Sequence, residues 1–148
     1  MNRPFFPCCC VLAGVVLAGA GCKSSSGRGG IPATSSGLPE ITLRANTEAK
    51  IKRVAGEFFL TRGYVEARSR HVYEMVFDKP AKSGRSRGVL RVRLRMHKQT
   101  DDTWRLVGTP LGVDAWRADL ESETVLMEGA SQIQGFLAEI KTRVESAR

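Results

Sequence analysis

The sequence has little of what enzymes and disulfide-bonded domains require. All four cysteines lie at positions 8, 9, 10 and 22, so the rest of the 148 residues can form neither a disulfide nor a thiolate metal site. Only two histidines are present, His71 and His97, and no nucleophile motif surrounds either. We therefore predict no catalytic residues, no metal site and no cofactor.

No apolar run is long enough to span a bilayer as a helix. Residues 8–21, CCCVLAGVVLAGAG, carry no charge and follow Arg3, but a spanning helix takes about 20 residues. A basic start, a short apolar run and the small residues from Ala18 to Gly21 are instead typical of a cleavable signal. Cys22 follows these small residues directly.

Residues 17–22, LAGAGC, resemble the end of a bacterial lipoprotein signal, in which a small residue precedes a cysteine. The resemblance implies that residues 1–21 are removed and that Cys22 is acylated, anchoring the chain to the bilayer through chains such as palmitate. More than one acyl chain suffices for stable anchoring. Lys23, rather than an aspartate, favours the outer membrane over the inner one, with the chain facing the periplasm. The alternative is an ordinary secretory signal with a cysteine at the cut by chance.

Residues 22–40 are predicted to form a flexible tether after the lipidated cysteine. Serine, glycine and proline dominate there, and only Ile31 and Leu38 are apolar enough to pack. The glycines of this segment do not form a phosphate loop, because the Lys-Ser/Thr ending is missing. Residues 41–148 then make one domain of common size.

Two segments have the spacing of amphipathic helices. The apolar positions of the first are Ile51, Val54, Ala55, Phe58 and Phe59, and those of the second are Ile133, Phe136, Leu137, Ile140 and Val144. We expect Asn46 or Thr47 to cap the first helix and Gly63 to end it. Ser131 and Gln134 have the spacing of a capping box for the second helix.

Between the two helices, apolar and polar residues alternate as in strands. Strands are predicted at 41–45, 64–68, 72–77, 88–96 and from 103, with further extended chain near 111–118 and 122–127. Tyr73, Phe77 and Trp104 are expected to lie in the core. The order β-α-β-β-β-β(-β)-α predicts an α+β fold: an antiparallel β-sheet with two amphipathic helices packed on one face.

A row of arginines is the most informative surface feature. The chain has a net charge of +8, and in the strand 88–96 Arg91, Arg93 and Arg95 alternate with apolar residues. With Arg85 and Arg87 in the preceding loop, they are candidates for binding phosphates, carboxylates or an acidic protein patch. We favour the alternative that this is a solvated sheet face, neutralised across strands by Glu66, Glu74 and Asp78.

The segment 108–121, GTPLGVDAWRADLE, interrupts the alternation. It fits a β-bulge with an edge strand, or a loop that inserts into a partner through Trp116, because tryptophans are common anchors at interfaces. A triad of Ser69, His71 and Glu74 can be drawn on paper, but the sequence there predicts an exposed turn. Nucleic acid is disfavoured as a partner, because the aromatic residues that would stack on bases are predicted to be buried.

Together these features predict a membrane-anchored periplasmic lipoprotein that acts as a non-catalytic binding or scaffold module in the cell envelope. Its expected partners are the bilayer, through acylated Cys22, and an envelope protein or an anionic envelope component. The alternative is an inhibitor or immunity-type lipoprotein that blocks a cell-wall hydrolase.

Overall fold

A computed structural model describes residues 33–80, 88–117 and 120–146, without the side chains of Pro80, residues 115–117 and Leu120. The predicted α+β fold is confirmed. The elements are β1 (Glu40–Arg44), α1 (Glu48–Leu60), β2 (Val65–Ala67), β3 (Glu74–Pro80), β4 (Gly88–Lys98), β5 (Thr103–Arg117), β6 (Leu120–Val125) and α2 (Ala130–Ser146), with a short 3-10 turn at Met127–Gly129 before α2.

The six strands form one antiparallel sheet in the order β1-β5-β4-β3-β2, and β6 also pairs with β5. One edge of β5 pairs with β4 from Trp104 to Asp114. The other edge is shared, because β1 pairs with its first part and β6 with its last part. The register shifts between Ala115 and Arg117, so the predicted bulge is confirmed. Residues 108–117 belong to β5, which has neighbours on both sides, so the edge strand predicted for the segment 108–121 is β6, which begins at Leu120. The alternative of a loop that inserts through Trp116 stays a prediction, because that side chain lies outside the described residues.

Helix α1 begins and ends as the sequence predicts. Thr47 is its N-cap, with an extended backbone and a side-chain oxygen that accepts a hydrogen bond from the Lys50 N–H at 3.3 Å. The chain leaves the helix through Gly63, whose φ of 77° is in the left-handed region that favours glycine. The N–H of Gly63 donates to the Leu60 carbonyl, and the N–H of Tyr64 donates to the Phe59 carbonyl.

The core lies between one face of the sheet and the two helices. Phe59 on α1 is its centre: it stacks on Phe77 of β3 with ring centroids 4.5 Å apart and meets the rings of Phe58, Tyr64 and Phe136 edge-on. The apolar positions predicted for both helices are all buried, except that Phe136 is half-buried. Both helices therefore cover the same sheet face, as predicted.

A shared ion cluster joins the C-terminal end of α1 to the middle of α2. The guanidinium of Arg62 lies 3.6 Å from the centre of the buried Phe58 ring and donates to Glu139 of α2 at 2.8 Å. Arg143 donates to the other Glu139 oxygen at 2.7 Å. The hydrogen bond from Arg143, followed by the one from Arg62, lowers the pKa of Glu139. One carboxylate thus holds two cations near the Phe58 ring.

Two predicted details of the fold are wrong. Tyr73 is 54% exposed rather than buried, because β3 begins at Glu74 and Tyr73 lies in the preceding turn, outside the strand alternation. Ser131 and Gln134 form no capping box, because α2 already begins at Ala130 and Gln134 bonds elsewhere.

The side chains of α2 bond to the free edge of β1. Gln134 accepts from the Glu40 N–H and donates to the Glu40 carbonyl, both at 3.0 Å. Near the other end of the strand, the Glu145 carboxylate accepts from the Arg44 N–H at 3.0 Å. Within the described residues, neither helix is long and apolar enough to cross a bilayer.

The contact between β5 and α2 yields a prediction with a matched control. A Cβ added at Gly108 would lie 2.6 Å from Cγ2 of Ile133, a short branched side chain that cannot swing away. Gly108→Ala should therefore destabilise the protein by about 1 to 3 kcal/mol, measured by urea unfolding. Gly135→Ala, on the open side of α2, should instead stabilise it by about 0.5 to 1 kcal/mol. Equal effects of the two substitutions would contradict the close approach of α2 to β5.

Candidate functional site

The sheet face opposite the helices, here called the outer face, carries the arginine row. Val92, Leu94 and Met96 of β4 are buried against the helices, so Arg91, Arg93 and Arg95 project from the outer face as predicted. The antiparallel register places Asp78 of β3 opposite Arg91, and Glu74 opposite Arg95. Across the sheet, Glu121 and Glu123 of β6 pair in register with Ala115 and Val113 of β5 on the same face.

Arg91 is the most enclosed of the three arginines. Its Nε and Nη2 donate to the two oxygens of Asp78 at 2.8 and 2.9 Å, a bidentate arrangement. Its Nη1 donates to Glu121 at 2.7 Å and to Glu123 at 2.9 Å. Its side chain is only 12% exposed. The hydrogen bond to Asp78, followed by those to the two glutamates, raises its pKa against the opposing effect of burial.

Arg93 and Arg95 extend the network, and they differ in the carboxylate that each one contacts. Nη2 of Arg93 donates to both oxygens of Glu123, at 2.9 and 2.6 Å. Nε of Arg95 donates to Glu74 at 2.9 Å, although the Arg95 side chain is 54% exposed. Glu74 is nearly buried, and it also lies 3.7 Å from Nε of Arg93. Two carboxylates are thus each shared between two arginines.

Four carboxylates therefore lie within ion-pair distance of three arginines: Asp78, Glu74, Glu121 and Glu123. The favoured expectation of a face neutralised across strands is confirmed for Glu74 and Asp78. It is wrong for Glu66, which pairs in register with Phe77 and so lies on the helix side of β2. Sequence reasoning missed Glu121 and Glu123 as partners, although their alternation along a predicted strand was the available signal.

The network lowers the pKa of one of these carboxyls. Burial alone would raise the pKa of Glu123, but hydrogen bonds from Arg91 and Arg93 outweigh it and lower the pKa. A carboxyl with a lowered pKa in the folded state stabilises the fold above its unfolded pKa, and this contribution is lost as the pH falls through the folded value.

A groove of about 770 Å³ runs over this face. Its floor is the ion network, and the turn between β2 and β3 forms one wall with Arg68, Arg70 and His71. Both of these arginines are exposed, and neither has an ion-pair partner among the described residues. The groove can hold a polar ligand or a protein segment, with exposed arginines at its rim and ion pairs beneath.

Ser69, His71 and Glu74 lie close together, but their contacts are not those of a catalytic triad. The Ser69 hydroxyl donates to the His71 carbonyl at 3.1 Å and accepts from the His71 N–H at the same distance. These are backbone bonds of an exposed turn, as predicted, and they do not involve the imidazole. A third contact of this hydroxyl is with a Glu74 oxygen at 3.3 Å, which helps to hold that buried carboxylate. In the part of the chain that is described, no three potential ligand side chains cluster to hold a metal ion.

Three other predicted sites lie outside what the structure describes: Cys22, the loop arginines Arg85 and Arg87, and the side chain of Trp116. They stay predictions.

No known protein family and no curated protein matches the chain. Among solved structures, a match is the crystal structure of the adenylate sensor from AMP-activated protein kinase in complex with the ribofuranotide ZMP. The match covers 72% of this chain and 95% of that chain, at 10% sequence identity and a TM-score of 0.45. A similarity at this level carries no argument about function.

The lowered pKa of Glu123 predicts how stability depends on pH. The free energy of unfolding should fall as the pH drops below about 4.3, the unfolded pKa of a glutamate, because protonation breaks the bonds to Arg91 and Arg93. Glu123→Gln should be less stable at pH 7 and lose less stability between pH 6 and pH 3, measured by denaturant unfolding. Glu66→Gln is the control, because it removes one exposed carboxylate outside the network. Parallel curves for wild type and Glu123→Gln would refute the role of the network.

Proposed function

We propose that this protein is a lipid-anchored, non-catalytic binding or scaffold module of the bacterial cell envelope, held at the membrane through acylated Cys22 and facing the periplasm. The outer membrane is the more consistent location, given Lys23 after the cysteine. The observation that carries the proposal is the LAGAGC segment, followed by a short Ser/Gly/Pro stretch that leads into a folded domain.

The way the chain enters the domain supports this arrangement. Residues 33–39 form a turn in which the Gly37 N–H donates to the Thr34 carbonyl at 3.2 Å. The hydroxyls of Ser35 and Ser36 donate to the two oxygens of Glu40, both at 2.7 Å, at the start of β1. The segment that we expect to be a tether is therefore tied to the sheet at its C-terminal end, which limits how far the domain can move from the anchor.

The open outer face supports a binding role. Both helices pack on the opposite side, and no described helix covers the groove or its rim arginines. The ion pairs hold the floor in place without leaving the buried carboxylates unpaired, so a partner meets a preorganised polar surface. Its contact with an envelope protein or an anionic component would come from the exposed rim, where guanidinium donors remain available.

The inhibitor or immunity-type alternative depended on a loop at 108–118 that inserts into a hydrolase. Residues 108–117 belong to β5, which lies inside the sheet between β4 and its other neighbours. We therefore keep the envelope binding module as the proposal.

The anchor is tested by labelling cells with radioactive palmitate. Cys22→Ala should abolish incorporation of the label and leave unprocessed precursor, because the acylated thiol is removed. Cys10→Ala is the matched control, since it removes a cysteine from the predicted signal and should change neither labelling nor processing. Label retained by the Cys22→Ala protein would refute the anchor.

The binding role is tested by in-cell photo-crosslinking. A photoreactive amino acid at position 70, at the rim of the groove, should give a discrete adduct that mass spectrometry identifies. The same amino acid at position 53, an exposed arginine on α1, is the control on the helix side and should not give that adduct. Identical adducts from both positions, or none from position 70, would count against the outer face as a binding surface.

A further inference from the structure

One long strand edge of the sheet has no partner among the described residues. The free edge of β1 is bonded to Gln134 and Glu145 of α2, and β2, at the opposite side of the sheet, has only three residues. Strand β6 has six residues and pairs with β5 alone. The other edge of β6, here called the open edge, therefore presents backbone groups to which no described residue bonds.

The hydrogen-bond pattern identifies the backbone groups that point to the open edge. The N–H of Leu126 donates to the Pro110 carbonyl at 3.0 Å, just beyond the last residue of β6. In an antiparallel pair, hydrogen-bonded and non-hydrogen-bonded positions alternate. Thr124 and Ser122 are therefore the residues of β6 that bond to β5. The N–H and carbonyl groups that point away from β5 belong to the residues between and beside them: Glu121, Glu123 and Val125.

A row of backbone donors and acceptors at this spacing is complementary to an extended polypeptide. Each of the three outward-facing residues offers one N–H and one carbonyl group, and only another main chain repeats donors and acceptors at the same intervals. Main-chain hydrogen bonds give such a partner its affinity, and side chains at alternate positions give it specificity. The open edge therefore fits a protein segment better than a small molecule.

The side chains along β6 set the chemistry of the segment that it can accept. At one end of the strand, Val125 is 48% exposed, and Leu126 after it is also exposed. At the other end, the side chain of Glu121 is 50% exposed. One oxygen of Glu121 accepts from Arg91, and the other bonds to no described residue. The open edge therefore fits an apolar side chain at one end and a cationic side chain at the other.

The charge at the open edge is negative although the whole chain is basic. Residues 120–130 contain three glutamates and neither lysine nor arginine. The ion network that reaches β6 has four carboxylates against three arginines. The exposed rim arginines, Arg68 and Arg70, lie in the turn after β2, which three strands separate from β6. A basic side chain in a facing strand would thus meet opposite charge, which stabilises strand pairing.

We propose that the open edge of β6 receives an extended segment of a partner protein. The segment adds to the sheet as an antiparallel strand, with an apolar residue opposite Val125 and a lysine or arginine opposite Glu121. Because Glu121 and Glu123 also line the groove, the added strand extends the outer face beside it. The inference rests on the proposed binding role and names how a partner is held, and it does not depend on the lipid anchor.

The test uses a six-residue synthetic peptide, which is as long as β6. In the antiparallel register the peptide has valine opposite Val125, lysine opposite Glu121 and threonine elsewhere. It is added to the chain from residue 22 with Cys22→Ser, which carries no lipid. Amide hydrogen exchange is then measured residue by residue by NMR. Without the peptide, the amides of Ser122 and Thr124 should be protected by β5, and those of the outward-facing residues should exchange rapidly.

Peptide binding should change the exchange of alternate amides along β6. At a peptide concentration of about ten times the Kd, exchange at the outward-facing residues should slow about tenfold, because only the unbound fraction exchanges freely. Ser122 and Thr124 should change little, since their N–H groups are already bonded to β5. This alternation identifies an added strand, because a peptide that adheres to the surface in another way does not select every second amide.

Modified peptides and charge variants supply matched controls. N-methylation of the peptide at the residues whose N–H groups face β6 should abolish binding, whereas N-methylation of the other alternate residues should leave it intact. Glu121→Gln should weaken binding of the lysine peptide by about two- to fivefold, the effect of one cross-strand charge pair. It should not change binding of a peptide with glutamine in place of lysine. Glu66→Gln removes the same charge from β2 and should change neither affinity.

The inference is overturned if the outward-facing amides stay unprotected at millimolar peptide, if all amides of β6 are protected equally, or if both methylated peptides bind alike. Outward-facing amides that are protected without peptide would also overturn it, because a second copy or another part of this chain would then cover the edge. If Glu121→Gln disturbs folding through Arg91, as judged by circular dichroism, the methylated peptides still decide. Crosslinking from position 70 is measured separately, so its failure and the failure of strand addition are distinguishable.

Discussion

The structure depends on β5, which provides hydrogen bonds to three other strands. It pairs with β4 from Trp104 to Asp114 on one edge, while β1 and β6 pair with the first and last parts of the other edge. The same strand sets the thickness of the core, because Gly108 lets α2 approach the sheet where any side chain would meet Ile133. A change in β5 would therefore alter the hydrogen bonds of the sheet, the packing of α2 and the outer face together.

The ion network follows from this arrangement of strands. Because β6 is attached to the far part of β5, its glutamates lie across the face from the arginines of β4, which they reach over buried Leu111 and Val113. The aliphatic parts of the arginines lie on an otherwise apolar surface, while their charges are satisfied by carboxylates. The enclosed guanidinium of Arg91 is thus a structural group, whereas the half-exposed Arg95 keeps donors for other acceptors. Three arginines that look equivalent in sequence have different roles.

Local patterns were sufficient for much of the fold. The helical faces, the Thr47 cap and the alternation of β4 depend on neighbours within one or two turns, and each was predicted correctly. The errors arose where a distant partner decides the outcome. Gln134 bonds to β1 rather than to its own helix. Tyr73 lies outside β3, because this strand begins at Glu74 and not at Val72 as its sequence predicts. The site was predictable as a row of arginines with Glu74 and Asp78 on the neighbouring strand. The partners Glu121 and Glu123 were not predicted, because their position depends on the pairing of β6 with β5.

The bonds from α2 to β1 have a consequence for how molecules of this protein meet one another. A free strand edge offers its N–H and carbonyl groups to any extended chain, which is a common route to aggregation. Gln134 occupies both backbone groups of Glu40, and Glu145 occupies the N–H of Arg44, so α2 works as a cover on that edge. The strand at the opposite edge, β2, has only three residues and offers little length for pairing. Copies of the protein at high local concentration would thus be protected, at these two edges, from joining their sheets into one continuous sheet.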